Sequence, residues 1–206
     1  MIAGDNLELK AKYEVIGTPT SIILKADGNE VDRTLGYVRT AEFISTVEDY
    51  WKGKGTLAAL LLDEPKMVKD PDFMYKLGEK LTAHNRSDDA DARFAAVVTL
   101  DPDNKKGNSD DALLERSWLC RKKENYKCAV AHSEDCLKRW PKGEMADDAL
   151  INVAWYSFKD GDKAKSAESF KKYIAQYPQG EDIDFAKEKL AEIEKEATAG
   201  SSGGSN

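Results

Sequence analysis

Residues 110–143 read DDALLERSWLCRKKENYKCAVAHSEDCLKRWPKG, and residues 147–180 read DDALINVAWYSFKDGDKAKSAESFKKYIAQYPQG. The triplet Asp-Ala-Leu begins at Asp111 in the first stretch and at Asp148 in the second, an interval of 148 − 111 = 37 residues. The aromatic-proline pairs WP and YP near the two ends keep the same interval. A fixed interval of this length predicts an internal repeat in which each copy is a hairpin of two helices.

An earlier stretch carries a third copy. Leu77-Gly78 is followed by Ala90, by Phe94 four residues later and by Pro102 eight residues beyond that. These offsets resemble those of the tetratricopeptide repeat family, and the long units are similar to those of bacterial cell-envelope proteins. The resemblance implies a mainly α fold, a tetratricopeptide-type α-solenoid of about three hairpins whose apolar faces are buried by stacking. The units are expected at residues 71–104, 110–143 and 147–180, with a capping helix at 182–197.

The first fifty residues follow a different pattern, which predicts helix, strand, hairpin turn, strand and helix. These elements are expected at residues 7–13, 21–24, 27–29, 31–35 and 40–51. Asp5 or Asn6 is placed to cap the first helix. Residues 55–70 are expected to form a linker helix, and residues 198–206, rich in Gly and Ser, a flexible tail.

This order resembles the C-terminal half of a thioredoxin-like domain, over about residues 5–52. The loop Val-Ile-Gly-Thr-Pro-Thr at 15–20 looks like the family's cis-proline loop, which would make Thr18–Pro19 the cis bond. The family's first half, with its C-x-x-C pair, has no counterpart, since Met1 stands where that half should already have ended. The segment at residues 1–54 is therefore expected to be a partial domain without thiol–disulfide activity, and no catalytic residue is assigned.

A half-domain leaves the strand near residues 21–24 with an unpaired edge. Three arrangements remain open: a second chain, either another copy or a complementing half, fills the gap; the repeats cover it; or the half is poorly ordered.

The cysteines and histidines offer two further hypotheses. Cys128, His132 and Cys136 lie along one helix stripe, but the outer two are about 12 Å apart along the helix, which is too far for one zinc ion. We therefore expect no metal and no cofactor. Cys120 and Cys128 straddle the turn between two antiparallel helices, so a disulfide is expected if the protein matures in an oxidising compartment. The sequence shows no partner for His84.

Composition excludes several functions. Hydrophobic residues make up 41% and charged residues 33% of the 206 residues, with a net charge of −7. An acidic chain without a basic cluster is not expected to bind nucleic acid. No apolar run reaches the roughly 20 residues of a membrane span, and no signal peptide is visible.

The resemblance to tetratricopeptide proteins implies a binding groove along the first helix of each unit. The groove positions carried onto this sequence are Tyr75, Leu114, Trp118, Arg121, Lys122, Ile151, Trp155 and Phe158. Tryptophan and arginine often dominate binding energy, so we expect a non-enzymatic scaffold that binds a protein or an extended apolar peptide. The alternative interpretation is the C-terminal part of a thioredoxin-like oxidoreductase or redox chaperone whose C-x-x-C half lies elsewhere. The resemblance points to a bacterial cell envelope or periplasm, although the cytoplasm also remains open.

Overall fold

The computed structural model describes residues 7–202, with side chains described for residues 7–198. The candidate cap residues Asp5 and Asn6, and the last four residues of the tail, lie outside this part of the chain. The described residues form ten helices and two strands, so the prediction of a mainly α fold is confirmed. The helices are α1 (Leu7–Lys12), α2 (Thr40–Trp51), α3 (Leu57–Met67), α4 (Pro71–Ala83), α5 (Ser87–Leu100), α6 (Ser109–Lys122), α7 (Tyr126–Arg139), α8 (Ala146–Asp160), α9 (Lys163–Gln176) and α10 (Ile183–Ser202). The strands are β1 (Thr20–Leu24) and β2 (Glu30–Leu35).

The chain divides into two compact units, with the boundary between Asp101 and Pro102. The first unit contains the two strands and helices α1 to α5, and the second contains helices α6 to α10. The hairpin of α4 and α5 therefore belongs to the first unit, together with strands β1 and β2.

The two strands pair antiparallel, with Thr20 opposite Leu35 and an irregularity in register after Ile23. The turn between them is held by Asp27, whose carboxylate accepts the backbone N–H of Asn29 at 2.9 Å. Gly28 adopts a φ of 84°, a backbone conformation that residues with a Cβ rarely adopt. These features explain why the Asp-Gly-Asn sequence closes a hairpin.

A buried polar network joins strand β2 to helix α4. Asp32 is 1% exposed and Lys80 is 8% exposed, and the Lys80 ammonium donates to Asp32 Oδ1 at 2.8 Å. It also donates to the Tyr50 hydroxyl at 2.5 Å and to the Arg33 carbonyl at 3.1 Å. A buried ion pair is stable only when its remaining hydrogen-bonding groups are also satisfied, and here they are.

His84 also has a partner in this network. Its Nε2 lies 3.0 Å from Asp32 Oδ1, a contact across 52 residues that no local sequence pattern indicates. Burial, the largest influence, raises the pKa of Asp32, but hydrogen bonds from His84 and Lys80 outweigh it and lower that pKa below its ordinary value. Within residues 7–101, helix α4 of the first hairpin therefore packs on the strand segment.

The hairpin of α4 and α5 is built around a glycine and a phenylalanine. Asp70 caps α4 by accepting the backbone N–H groups of Asp72 and Phe73, and Pro71 occupies the first turn, where its missing N–H costs nothing. Gly78 faces the Phe94 ring so closely that a Cβ there would stand 2.7 Å from it. The close approach of the two helices depends on this missing side chain.

The repeat in the second unit keeps the sequence interval. Helices α6 and α8 begin 146 − 109 = 37 residues apart, and α7 and α9 begin 163 − 126 = 37 residues apart. Asn125 caps α7, and Asp162 caps α9 by accepting the Lys165 N–H. Gly161, with a φ of 88°, ends α8 in the left-handed conformation that glycine favours at this position.

In each hairpin of the second unit, a serine hydroxyl on one helix donates a hydrogen bond to a backbone carbonyl on the other helix. In the first, the Ser117 hydroxyl donates to the Ala129 carbonyl at 2.7 Å, and in the second the Ser166 hydroxyl donates to the Ala154 carbonyl at 2.8 Å. Positions 117 and 154 are equivalent, as are 129 and 166, since each pair is 37 residues apart. The serine lies on the first helix of the first hairpin and on the second helix of the second hairpin, and the alanine lies opposite it in both. The hydrogen bond between the two helices is therefore kept, although its donor and acceptor helices are reversed.

Helix α10 covers the end of the second unit. Its buried residues Ala186 and Ile193 belong to one core cluster with Phe170 and Tyr173 of α9. This is the packing that a capping helix provides to the last repeat. The helix extends to Ser202, which is 202 − 197 = 5 residues beyond the expected end of the cap.

Candidate functional site

The expected groove residues of the second unit lie on α6 and α8, the first helix of each hairpin. Most are half-buried, so that each keeps part of its surface accessible: Leu114, Trp118, Arg121, Lys122, Trp155 and Phe158. Two expected members are placed differently. Ile151 is 7% exposed and belongs to the core, and Tyr75 lies in the first unit with its ring packed against Phe94 at 5.6 Å.

Trp118 carries two cations on its ring. The Lys122 ammonium lies 4.9 Å from the ring centroid, and the Arg121 guanidinium carbon lies 5.8 Å from it. Both distances fall within the range of cation–π attraction. Burial, and secondly the charge of Arg121, lower the pKa of Lys122. This end of α6 therefore concentrates positive charge beside an aromatic surface.

Trp155 repeats this arrangement on α8. The Lys159 ammonium lies 4.7 Å from its ring centroid, and the Phe158 ring stacks on it at 5.5 Å with an interplanar angle of 12°. Helix α10 covers part of the same ring, because Phe185 meets it edge-on at 5.3 Å and Lys189 lies 6.0 Å from it. Trp155 is thus partly a packing residue under the capping helix.

The two tryptophan–lysine pairs are equivalent positions of the repeat. Trp118 and Trp155 are 155 − 118 = 37 residues apart, and Lys122 and Lys159 are 159 − 122 = 37 residues apart. In each pair the lysine follows the tryptophan by four residues, which places both on one face of a helix. A surface of this kind favours ligands that combine apolar or aromatic groups with negative charge.

Arg121 has an unused donor at this face. Its Nε is buried, yet no hydrogen-bond partner for it exists within the part of the chain that the structure describes. Burial raises the pKa of the nearby Tyr156, and the positive charge of Arg121 works against that rise. Because this Nε is shielded from solvent, Arg121 favours a carboxylate at this face through the charge of its guanidinium.

The opposite ends of α6 and α8 are acidic. Asp110 is buried and accepts a hydrogen bond from Asn104 Nδ2 at 2.7 Å. Burial, followed by the charges of Asp110 and Glu144, raises the pKa of Asp111 to about 6. The buried thiol of Cys136 faces the Asp110 carbonyl, and burial, followed by the charges of Asp110 and Asp111, raises its pKa to about 12.

The turn between α6 and α7 holds the other cysteines. The structure pairs Cys120 and Cys128 as a disulfide, with their Cα atoms 5.7 Å apart. The imidazole of His132, one turn further along α7, completes a group whose ligand atoms all lie within 4.8 Å of one another. Cys136, which the sequence placed on the same stripe, is not a member of this group.

The loop before β1 lies in the first unit, and Thr18 and Pro19 are its exposed residues. Its Thr18–Pro19 peptide bond is cis. The Thr20 hydroxyl donates to the Gly17 carbonyl at 2.6 Å, and the Pro19 carbonyl accepts the Gly36 N–H at 2.9 Å. These bonds fix the loop against the end of β2.

Comparisons with known proteins agree with this architecture. Residues 109–187 match the family model YfiO, described as an outer membrane lipoprotein. A solved structure titled "MamA RS-1 ArsTM double mutant" resembles the chain with a TM-score of 0.51 and 18% sequence identity, over 80% of this chain and 99% of that one. The hairpins are tetratricopeptide-type repeats. No curated protein matches the chain, and no helix within the described residues has the length and apolar character of a membrane span.

Proposed function

We propose that the chain is a non-enzymatic interaction scaffold that binds a peptide or protein segment along α6 and α8. The main support for the proposal is that one tryptophan–lysine pair occurs at equivalent positions of both repeats. The pairs are Trp118 with Lys122 and Trp155 with Lys159. Packing alone requires an apolar residue at such positions, but it does not require a cation at each ring. The tetratricopeptide-type fold supports a protein partner.

The chemistry of this face favours an extended segment with both apolar and acidic side chains. The partly exposed rings of Trp118 and Trp155 offer apolar area, and Arg121 and Lys122 offer charge to carboxylates. Aromatic residues and arginine contribute disproportionately to binding energy. We therefore expect selectivity for acidic-apolar over basic-apolar sequences.

A selection from a random peptide library tests this proposal. The full chain is used as bait, and the selected peptide is synthesised with a fluorophore for anisotropy titration. Trp118→Ala is expected to weaken binding by roughly tenfold or more, the range of a hot-spot truncation. Lys122→Glu is expected to weaken binding of the acidic peptide and to reduce its salt dependence.

Trp51→Ala provides the matched control, because Trp51 is 54% exposed on α2 and lies outside this face. It is expected to leave the affinity unchanged. A large fall in melting temperature for Trp118→Ala, with no effect on affinity, would show that Trp118 is a core residue and contradict the proposal.

A second candidate function rests on the first unit. The order of α1, β1, β2 and α2 supports a thioredoxin-like segment that a complementing chain or a second copy completes at the edge of β1. In that case the C-x-x-C half lies elsewhere, and the chain is one part of an oxidoreductase or redox chaperone. The purified chain alone is expected to reduce insulin no faster than a free thiol, and a concentration-dependent mass in sedimentation would support pairing of copies.

The similarity of residues 109–187 to an outer membrane lipoprotein family supports a place in a bacterial cell envelope. Fractionation of cells that express the tagged protein tests this location. Recovery with the cytoplasmic fraction alone would contradict it.

A further inference from the structure

The turn between α6 and α7 brings together three side chains that bind soft metals. Cys120 lies in the last turn of α6, and Cys128 and His132 lie on successive turns of α7. Their ligand atoms are all within 4.8 Å of one another, and all three residues are half-buried, so that an ion could reach them from solvent. Cys136, on the same stripe of α7, is not part of this group, because its buried thiol faces the Asp110 carbonyl.

We propose that the reduced α6–α7 hairpin binds a Zn²⁺ ion through Cys120, Cys128 and His132. Two thiolates and one imidazole are a recognised zinc ligand set that leaves the fourth tetrahedral position open. Zn–S bonds of about 2.3 Å place two tetrahedral sulfur ligands about 3.8 Å apart. The side chains reach this arrangement with small movements, since the backbone already holds the ligand atoms within 4.8 Å.

The local structure favours the thiolate that the ion requires. Cys128 is in the first turn of α7, where its own backbone N–H donates to the Asn125 cap at 3.2 Å. The positive end of the helix stabilises a thiolate at this position. His132 follows by four residues, which places its ring on the same face of the helix.

The disulfide and the metal site use the same two sulfur atoms and therefore exclude each other. A dithiol reductant transfers two electrons and two protons to the Cys120–Cys128 bond and itself becomes a disulfide. Zn²⁺ then binds the two sulfurs and releases both thiol protons to solvent. The hairpin is thus crosslinked in either redox state, by a covalent bond when oxidised and by the ion when reduced.

Cobalt(II) is a suitable probe, because thiolate ligation gives a near-ultraviolet charge-transfer band and tetrahedral geometry gives intense visible bands. The full chain, reduced with a phosphine that is then removed anaerobically, is titrated with Co²⁺ and afterwards with Zn²⁺. The reduced chain is expected to develop both bands, and Zn²⁺ to abolish them. The oxidised chain is expected to show neither band.

Variants distinguish this site from adventitious binding. Cys120→Ser and His132→Ala are each expected to lower Co²⁺ affinity at least about tenfold, whereas Cys136→Ser keeps it unchanged. Circular dichroism of each variant establishes that the helices are intact. Absence of a thiolate band in the reduced wild type would overturn the proposal, as would unchanged affinity in folded His132→Ala.

Discussion

At the residue scale, the chain places ionisable groups where burial changes their protonation. Asp111 is the clearest case, because its pKa is raised to about 6 from an ordinary value of 3.8, first by burial and then by its acidic neighbours. Cys136 shares these neighbours, and a thiol with a pKa of about 12 is almost wholly protonated at neutral pH. The acidic ends of α6 and α8 therefore cost stability at neutral pH.

Replacement of Asp111 by Asn tests this cost. The folded state takes up a proton as pH falls through about 6, whereas the unfolded state does so only near 3.8. The ionised Asp111 carboxylate thus lowers the free energy of unfolding of the wild type above pH 6. This loss of stability disappears as the pH falls towards 4. We expect Asp111→Asn to raise the free energy of unfolding by about 1–2 kcal/mol at pH 8, after allowance for screening by solvent, and by little at pH 4. Urea denaturation across this pH range measures it.

Asp184→Asn, which removes an exposed carboxylate from the first turn of α10, is the matched control and should not stabilise the protein at pH 8. An equal effect of Asp111→Asn at both pH values would contradict the assignment.

At the scale of elements, pairs of helices and strands are held together by a few specific contacts. Gly78 allows α4 to approach the Phe94 ring on α5, and the Lys80–Asp32 pair joins α4 to β2. The first contact depends on the absence of a side chain, and the second on two buried charges. Each therefore responds to a single substitution in a predictable direction.

Gly78→Ala is expected to destabilise the protein by about 1–3 kcal/mol, because the new Cβ would stand 2.7 Å from a fully buried ring. Alanine is the better helix former by about 1 kcal/mol, so a destabilised variant shows that steric overlap outweighs propensity. Thermal unfolding measures the change. Phe94→Leu in the same chain should recover part of the loss, and no recovery would mean that the two positions are not coupled.

Lys80→Met is expected to lower the free energy of unfolding by about 3–5 kcal/mol, because it leaves the Asp32 carboxylate buried without its cation. Lys76→Met, on an exposed position one turn earlier, should change stability by less than about 0.5 kcal/mol. Chemical denaturation measures both. If Lys80→Met does not fold, Asp32→Asn combined with Lys80→Met tests the pair, since removal of both charges should be less damaging than removal of one. Similar losses in Lys80→Met and Lys76→Met would show that the pair does not matter.

At the scale of the whole molecule, the two units differ in their covalent constraints. All three cysteines belong to the unit that begins at Pro102, and the unit that ends at Asp101 contains none. The Cys120–Cys128 crosslink is therefore internal to one unit. Its removal should loosen the α6–α7 hairpin and leave the strand segment and the α4–α5 hairpin as they were.

Hydrogen exchange with mass spectrometry tests this separation. Reduction in the presence of a chelator is expected to increase amide exchange in residues 109–139 and to leave residues 7–101 unchanged, because the opened crosslink contacts only its own hairpin. The Cys120→Ser/Cys128→Ser variant should not respond to reductant. Faster exchange in residues 7–101 after reduction would show that the stability of the first unit depends on the crosslink.

The repeat pattern was readable in the sequence because it is local. The 37-residue interval is visible in the sequence itself, and the place of the tryptophans on the first helix of each hairpin follows from periodicity within segments of about fifteen residues. The strand–turn–strand order follows in the same way from Asp-Gly-Asn between two β-rich runs. These features depend on backbone propensity and on which face of an element is apolar.

Only the tertiary structure decided which side chains meet. Lys80 and Asp32 are 48 residues apart in sequence, and Ile151 became a core residue because of how α8 is rotated against its neighbours. Cys120, rather than Cys136, joins Cys128 and His132 because the turn folds α6 back onto α7, which brings residues from two helices closer than residues two turns apart on one. Sequence spacing determines positions along an element, whereas distances between elements depend on packing, to which every side chain in the interface contributes.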